Sequence, residues 1–278
     1  MTELALSTGR KDELAALLGD EQRLRADYPK VSEYLDTASM LAGTGDDRAD
    51  AAFDLRFVHY LTGGRSVSAN PYWAIVAPSV SEHEGRRVVN GGRAKGSARL
   101  GFAQTILQAA YAYAIPSTET IEWLTRFADG RKVVEPGAGR GYWAAQLAGA
   151  GVGVDAYDSE PPDKTENMSF LRAAGLPDVW HAVGNLDELT ARPSGGPNDV
   201  LLLCWPPGWG STMASDALAA FEAGGGERLV YIGEPKGGKT GDDAFFDALA
   251  NRWKLKSEDA QFVSWWNLPD RAQGWVRR

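Results

Sequence analysis

The chain has 278 residues, a formal net charge of −8, and 44% apolar and 10% aromatic residues. That length holds one large domain, or one domain with a substantial appendage, and no apolar run approaches the roughly 20 residues needed to span a bilayer. Net acidity without a basic cluster points away from duplex nucleic acid, and the single cysteine, Cys204, leaves no internal disulfide framework and fits a reducing, cytoplasmic setting.

The first 20 residues are charged and lack the apolar core of a secretion signal. Apolar spacing predicts helices over 12–18, 31–41 and 49–61, the last ending at Gly63-Gly64. From 65 to 96 the pattern breaks at Asn70-Pro71, Pro78, Gly85 and Asn90-Gly91-Gly92, which reads as loops with a short strand over 87–89. Helix resumes over 97–113. Pro116 separates it from a helix over 118–127, for which Ser117 is the N-cap.

From residue 131 the rhythm changes. Strands are expected at 131–135, 152–157, 178–183, 199–204 and 227–232, with helices near 141–149, 165–174, 212–223 and 241–252. Such βαβα alternation implies a parallel sheet covered by helices on both faces. No internal repeat or low-complexity segment interrupts it.

The first of these strands runs into Glu135-Pro136-Gly137-Ala138-Gly139-Arg140-Gly141. Three glycines at alternate positions bare the backbone for close approach of a ligand. Seventeen residues after Gly141, the next strand ends in Tyr157-Asp158. Strand, glycine turn, helix and an acidic strand end is the layout with which α/β sheets hold a nucleoside. A dinucleotide fold wants G-x-G-x-x-G, and Tyr142 stands where its third glycine belongs.

The E-x-G-x-G-x-G form resembles the first motif of the class I S-adenosylmethionine-dependent methyltransferases. With the Tyr-Asp strand end and the Leu-Cys-Trp-Pro-Pro segment, the sequence is also similar to a bacterial group of methyltransferases of unsettled substrate. The resemblance covers 131–278. It implies an α/β fold with a Rossmann-like, seven-stranded, mostly parallel sheet, helices on both faces, and a closing antiparallel pair from 261–266 and 274–277. The expected organisation is a helical N-terminal cap over 1–115 that encloses the substrate and a cofactor-binding domain over 116–278. S-adenosylmethionine is the implied cofactor, with Glu135, Gly137, Gly139 and Gly141 around its methionine part. Asp158, rather than Asp155, takes the ribose hydroxyls. Asn185, or Asp187 in its place, meets the adenine amine; Tyr113, with Pro116 and Ser117, folds over the cofactor, and Cys204 lies beside it.

After the fourth strand, enzymes of this superfamily that methylate exocyclic amines carry Asn or Asp, Pro-Pro and an aromatic residue. Here Trp205 replaces the Asn and Gly208 the aromatic. Indole only donates a hydrogen bond, so the amine mechanism does not carry over. Trp205, Pro206, Pro207 and Trp209 are therefore read as the acceptor wall, where the indoles stack on a planar acceptor or meet the sulfonium by a cation–π contact. Glu234, at the end of the fifth strand, is the candidate general base; Asp242 and Asp243 start the next helix.

A competing signal is Gly233-Glu234-Pro235-Lys236-Gly237-Gly238-Lys239-Thr240, a literal match to the phosphate-binding G-x-x-x-x-G-K-[ST] loop. It follows the fifth strand rather than opening the sheet, and Pro235 removes a backbone donor. His59, His83 and His181 have no metal-ligand spacing, so no metal is expected; His83 lies on a loop. The sequence thus points to a methyltransferase acting on a small-molecule or peptide N or O acceptor. The alternatives are transfer or cyclisation of the cofactor's aminocarboxypropyl arm, binding without turnover, and a nucleoside triphosphatase. Oligomeric state is left open.

Overall fold

The computed structural model describes residues 4–63, 68–91, 96–190 and 196–278; Gly64 and Gly92, read above as breakers, lie outside them. The N-terminal part is built from helices α1 (Thr8–Leu18), α2 (Glu21–Asp27), α3 (Pro29–Ala38), α4 (Asp47–Leu61), α5 (Pro71–Val76) and α6 (Ala98–Ala110), with a hairpin of β1 (Val80–His83) and β2 (Arg86–Val89). Helix α5 falls where a loop was expected. Asn70 caps it by accepting from the Trp73 N–H, and Pro71 takes the first helical position, where its missing N–H costs nothing. An Asn-Pro pair that reads as a turn is here a helix start.

Helix α7 (Thr118–Ala128) leads into the main sheet, and the Ser117 hydroxyl caps it as expected. The strands are β3 (Lys132–Pro136), β4 (Val154–Tyr157), β5 (Val183–Gly184), β6 (Asp199–Cys204), β7 (Arg228–Gly233), β8 (Trp253–Glu258) and β10 (Arg271–Arg277). Their order is β5-β4-β3-β6-β7-β10-β8, and β10 runs antiparallel to both neighbours. Helices α8 (Tyr142–Gly149), α9 (Leu186–Thr190), α10 (Met213–Ala223) and α11 (Asp243–Arg252) connect them. This is the Rossmann-like, seven-stranded, mostly parallel α/β sheet that the sequence implies.

The apolar run of β6 explains both covered faces. Alternate residues point to opposite sides of a strand. Val200 and Leu202 pack with Val133, Leu124 and Trp143 on the α7–α8 side, whereas Leu201 and Leu203 pack with Leu218 and Phe245 on the α10–α11 side.

Three expectations need correction. The closing pair is β8 with β10, not 261–266 with 274–277: β9 (Val263–Trp265) leaves the main sheet and pairs parallel with β2. Val263 and Trp265 are buried in the N-terminal core, and Trp265 donates to the Tyr72 hydroxyl at 2.8 Å. Strand β8 hid because it is an edge carrying Lys254 and Lys256, the charged pattern that discourages edge pairing.

The helix expected at 165–174 is a series of turns. Asn167 accepts from the Ser169 and Phe170 N–H groups, a local bond that competes with helix. The strand expected at 178–183 shrinks to Val183–Gly184, because the Trp180 N–H donates to the Arg140 carbonyl instead of a strand. Among the described residues no helix is long and apolar enough to cross a membrane.

Candidate active site

In this strand order the chain runs from β3 through β4 to β5 at one edge, then returns to β6 on the other side of β3. Ligands of open α/β sheets bind in the crevice outside the carboxyl ends of the strands at such a reversal. The glycine turn follows β3 and Cys204-Trp205 ends β6, so both motifs open onto that crevice.

Gly137, Gly139 and Gly141 all have positive φ, at 75°, 54° and 68°. A Cβ at Gly139 would lie 2.4 Å from the Phe170 ring, so space as well as conformation requires glycine there; at Gly137 it would meet only the flexible end of Met213, and the positive φ is what favours glycine. The Gly139 N–H donates to Asp158 Oδ2 at 2.8 Å and the Glu160 N–H to Oδ1 at 3.0 Å, which fixes the buried carboxylate against the turn. Glu135 is also buried. Desolvation pushes its pKa up to about 8 despite the Ala144 N–H at the start of α8, with nearby Asp158 adding to the rise. Its Oε2 has no partner among the described residues. Tyr142, in place of a third dinucleotide glycine, is fully buried; its hydroxyl donates to Asn70 and accepts from the Tyr72 N–H, tying α8 to α5.

A cavity of about 630 Å³ starts at Glu135, Gly137, Ala138 and Asp158, with Leu186 and Phe170 beside them. It passes Tyr113, Cys204, Trp205 and Met213. It ends between Gln104, Thr105 and Gln108 of α6, Pro207 and Trp209, and Asn267 and Leu268 of the turn before β10.

Trp205 has φ +54° and Trp209 φ +47°, a left-handed conformation that costs roughly 1–2 kcal/mol for a residue with a side chain. Two such residues in one loop mark a place where surrounding structure imposes the shape. The Trp205 N–H donates to the Ile232 carbonyl at 2.7 Å, its ring stacks on Tyr113 at 5.4 Å and 11°, and Nε1 donates to Asp270 Oδ2 at 3.1 Å. Asp270 is fully enclosed, and burial pushes its pKa up to about 7, with the Trp205 bond and Arg86 opposing. The Cys204 thiol is raised well above its usual range by burial, then by Glu135 and Asp270, so it is a neutral wall group and not a nucleophile at neutral pH.

Other expected residues sit elsewhere. The Asn185 side chain accepts the Glu188 N–H at the start of α9, and Asp187 lies on that exposed helix. Pro206 is buried, and its carbonyl accepts the Gly241 N–H. Glu234 is off the cavity wall: its Oε2 accepts the Lys239 N–H at 2.6 Å and its own N–H donates to Thr240 Oγ1. That carboxylate fills the loop that matches the phosphate-binding pattern, and the Gly238 N–H donates to the Pro235 carbonyl. A loop whose donors meet its own oxygens has no nest for a phosphate. Asp242 caps α11 through the Phe245 N–H. Pro116 accepts from Asn70 and Ser117 caps α7, away from the cavity. His83 is beside Trp266, and Arg10 donates to His59. Among the described residues no three His, Cys, Asp or Glu side chains are grouped to hold a metal ion.

Sequence reading missed the polar strip of α6, the Phe170 turn and Asp270. The strip carried a signal, since Gln104, Thr105 and Gln108 fall together on one side of a helix that apart from Arg99 is apolar. Arg140, merely a spacer in the motif, is fully buried and donates to the carbonyls of Ala109, Leu171, Pro177 and Asp178, so it holds the 170s segment over the turn.

No protein family matches this sequence, and no curated protein does. Among solved structures the chain is similar to WbdD co-crystallised with a kinase inhibitor, with 13% identity over 57% of this chain and 40% of that one, TM-score 0.36. It is similar to a Klebsiella pneumoniae protein taken to be an O-methyltransferase, with 11% identity over 63% and 87%, TM-score 0.41. It is also similar to magnesium protoporphyrin IX methyltransferase from Synechocystis with bound S-adenosylmethionine, with 14% identity over 81% and 97%, TM-score 0.34. The chain thus spans less than half the length of WbdD.

Proposed function

We propose that the protein is an S-adenosylmethionine-dependent methyltransferase acting on a small-molecule or peptide acceptor through N or O. The observation that carries this reading is one continuous cavity joining the start of the glycine turn, at Gly137 and Ala138, and two buried carboxyls to an aromatic wall, at the reversal point of the sheet. The residues fit the cofactor. Gly137 and Ala138 of the turn line the cavity, Glu135 Oε2 lacks a partner among the described residues, and Asp158 is already oriented by two backbone N–H groups.

Glu135 and the glycine turn would hold the methionine part, Asp158 the ribose, and Tyr113 and Cys204 would flank it; the bound cofactor supplies a methyl group already activated by its sulfonium charge. The chain's own task is then positioning and exclusion of water. Trp205, fixed by Tyr113 and Asp270, forms a rigid wall on which an acceptor is oriented. No strong base is required of Glu234. Residues 1–115 serve to enclose the acceptor, through α6 and Tyr113, and 116–278 to bind the cofactor.

The test is incubation with S-adenosylmethionine and candidate acceptors, followed by mass spectrometry. Methyl transfer gives S-adenosylhomocysteine and an acceptor heavier by one methylene. Methylthioadenosine instead would establish chemistry of the aminocarboxypropyl arm and overturn the methyl-transfer reading.

A further inference from the structure

The two ends of the cavity carry opposite charge. Asp158 and Glu160 line the cofactor end, whereas Lys239 is the one Lys or Arg on the wall among the described residues. Its backbone is pinned: the N–H donates to Glu234 Oε2, and the carbonyl accepts the Gly208 N–H at 3.0 Å. The side chain therefore leaves the loop from a fixed place beside the Gly208–Trp209 backbone. No carboxylate pairs with Lys239 among the described residues. Lys236, in the same loop, is tied to Asp243 and Asp247.

The wall between these ends is flat and aromatic. Trp205 and Tyr113 are stacked, and Trp209 is 82% exposed, an unusual position for an indole. Gln104 is only 6% exposed, lines the cavity, and its amide has no protein hydrogen-bond partner among the described residues. Its amide is not sealed from solvent, so it is available to a ligand in the cavity. Gln108, one turn on, spends its Nε2 on the Tyr113 carbonyl at 3.1 Å and so holds that wall.

Resting on the methyltransferase reading, we infer that the acceptor is a flat aromatic compound with an anionic substituent. Its ring lies along the Tyr113–Trp205 wall, its anion is at Lys239, and its edge is hydrogen-bonded by Gln104. The polarity of the cavity also sets direction. Carboxylates at the cofactor end repel the anion, so the neutral, nucleophilic end of the acceptor is the one that faces the methyl group.

The probes are para-hydroxybenzoate and hydroxynaphthoate, each matched with its neutral amide, and tyramine as the cation. They are titrated calorimetrically into protein saturated with S-adenosylhomocysteine, whose own binding is measured first. The expected result is that at least one anionic probe binds about two- to fivefold more tightly than its amide, the value of an exposed ion pair. Lys239→Gln removes that preference, Lys239→Arg keeps it, and both variants bind S-adenosylhomocysteine as the parent does. Binding of neither anion to the loaded protein, equal binding of acid and amide, preference for tyramine, or an unchanged preference in Lys239→Gln overturns the inference. Failure of S-adenosylhomocysteine itself to bind instead overturns the methyltransferase reading on which it rests.

Discussion

The cofactor end and the acceptor end of one cavity are built by different means. Glu135, the glycine turn and Asp158 lie within a single strand–turn–helix–strand unit, and backbone N–H groups do most of the orienting. The acceptor end is assembled by side chains from α6, the loop after β6, the loop after β7 and the turn before β10. The first depends on backbone conformation that few substitutions tolerate. The second depends on individual side chains that can be exchanged without disturbing the sheet. Changes at the two ends are therefore expected to separate in their effects.

The largest expected effect comes from Arg140, whose buried guanidinium satisfies four carbonyls. Arg140→Ala leaves those oxygens unpaired and is expected to lower the unfolding free energy by about 3 kcal/mol or more in a denaturant titration. Cofactor affinity falls with it, because Phe170 is released from Gly139. A fully stable variant would mean that the segment over the turn is held by something else.

Next is the pH dependence set by Glu135. Its carboxyl stands at about 8 in the folded protein against a usual 4.5, so it is neutral below pH 8. A cationic sulfonium favours the carboxylate, so binding below pH 8 releases a proton. S-adenosylmethionine affinity should then rise by up to about tenfold per pH step from 6 to 8 and level off above. Stability of the free protein runs the other way: the folded state holds this proton more tightly, and the stabilisation present below pH 4.5 is lost as pH rises through 8. Glu135→Gln removes both slopes, read by calorimetry and thermal melts; slopes that persist in the variant would place their origin elsewhere.

Trp205→Phe should be confined to the acceptor end. The ring can still stack on Tyr113, but the bond to Asp270 is lost. S-adenosylhomocysteine affinity is expected to stay within about twofold, while acceptor binding weakens by about five- to tenfold, the worth of one ordinary hydrogen bond. Equal losses at both ends would erase the distinction between them.

The smallest effect belongs to Asn185→Ala. Its side chain caps α9, so about 1 kcal/mol of stability is expected to go, with cofactor affinity changed less than about twofold. A tenfold loss of affinity would return Asn185 to the cofactor site.

The same division governs what the sequence discloses. The glycine turn and Asp158 are legible because every residue lies within one short stretch and the spacing itself is the signal. Strands β6 and β7 are legible because their apolar runs are buried on both faces. Gln104 and Lys239 come to one cavity, and Asp270 to its Trp205 wall, only through the tertiary fold, and no local pattern joins residues so far apart in the chain. Lys239 was visible, but inside a phosphate-loop pattern that Glu234 fills from within. The turns at 165–174 were misread for a local reason, since the Asn167 side chain diverts the N–H groups a helix would need.

The central claim is that the glycine turn and Asp158 bind S-adenosylmethionine, and calorimetry on three proteins tests it most directly. S-adenosylmethionine and ATP–Mg²⁺ are titrated into the parent, Asp158→Ala and Asp155→Ala, the last removing a carboxylate of the same strand that is paired with Lys132. The account predicts binding of S-adenosylmethionine and not of ATP–Mg²⁺, at least about a hundredfold loss in Asp158→Ala from two charged-acceptor hydrogen bonds, and little change in Asp155→Ala. Binding of ATP–Mg²⁺ alone, or undiminished S-adenosylmethionine affinity in Asp158→Ala, would contradict it.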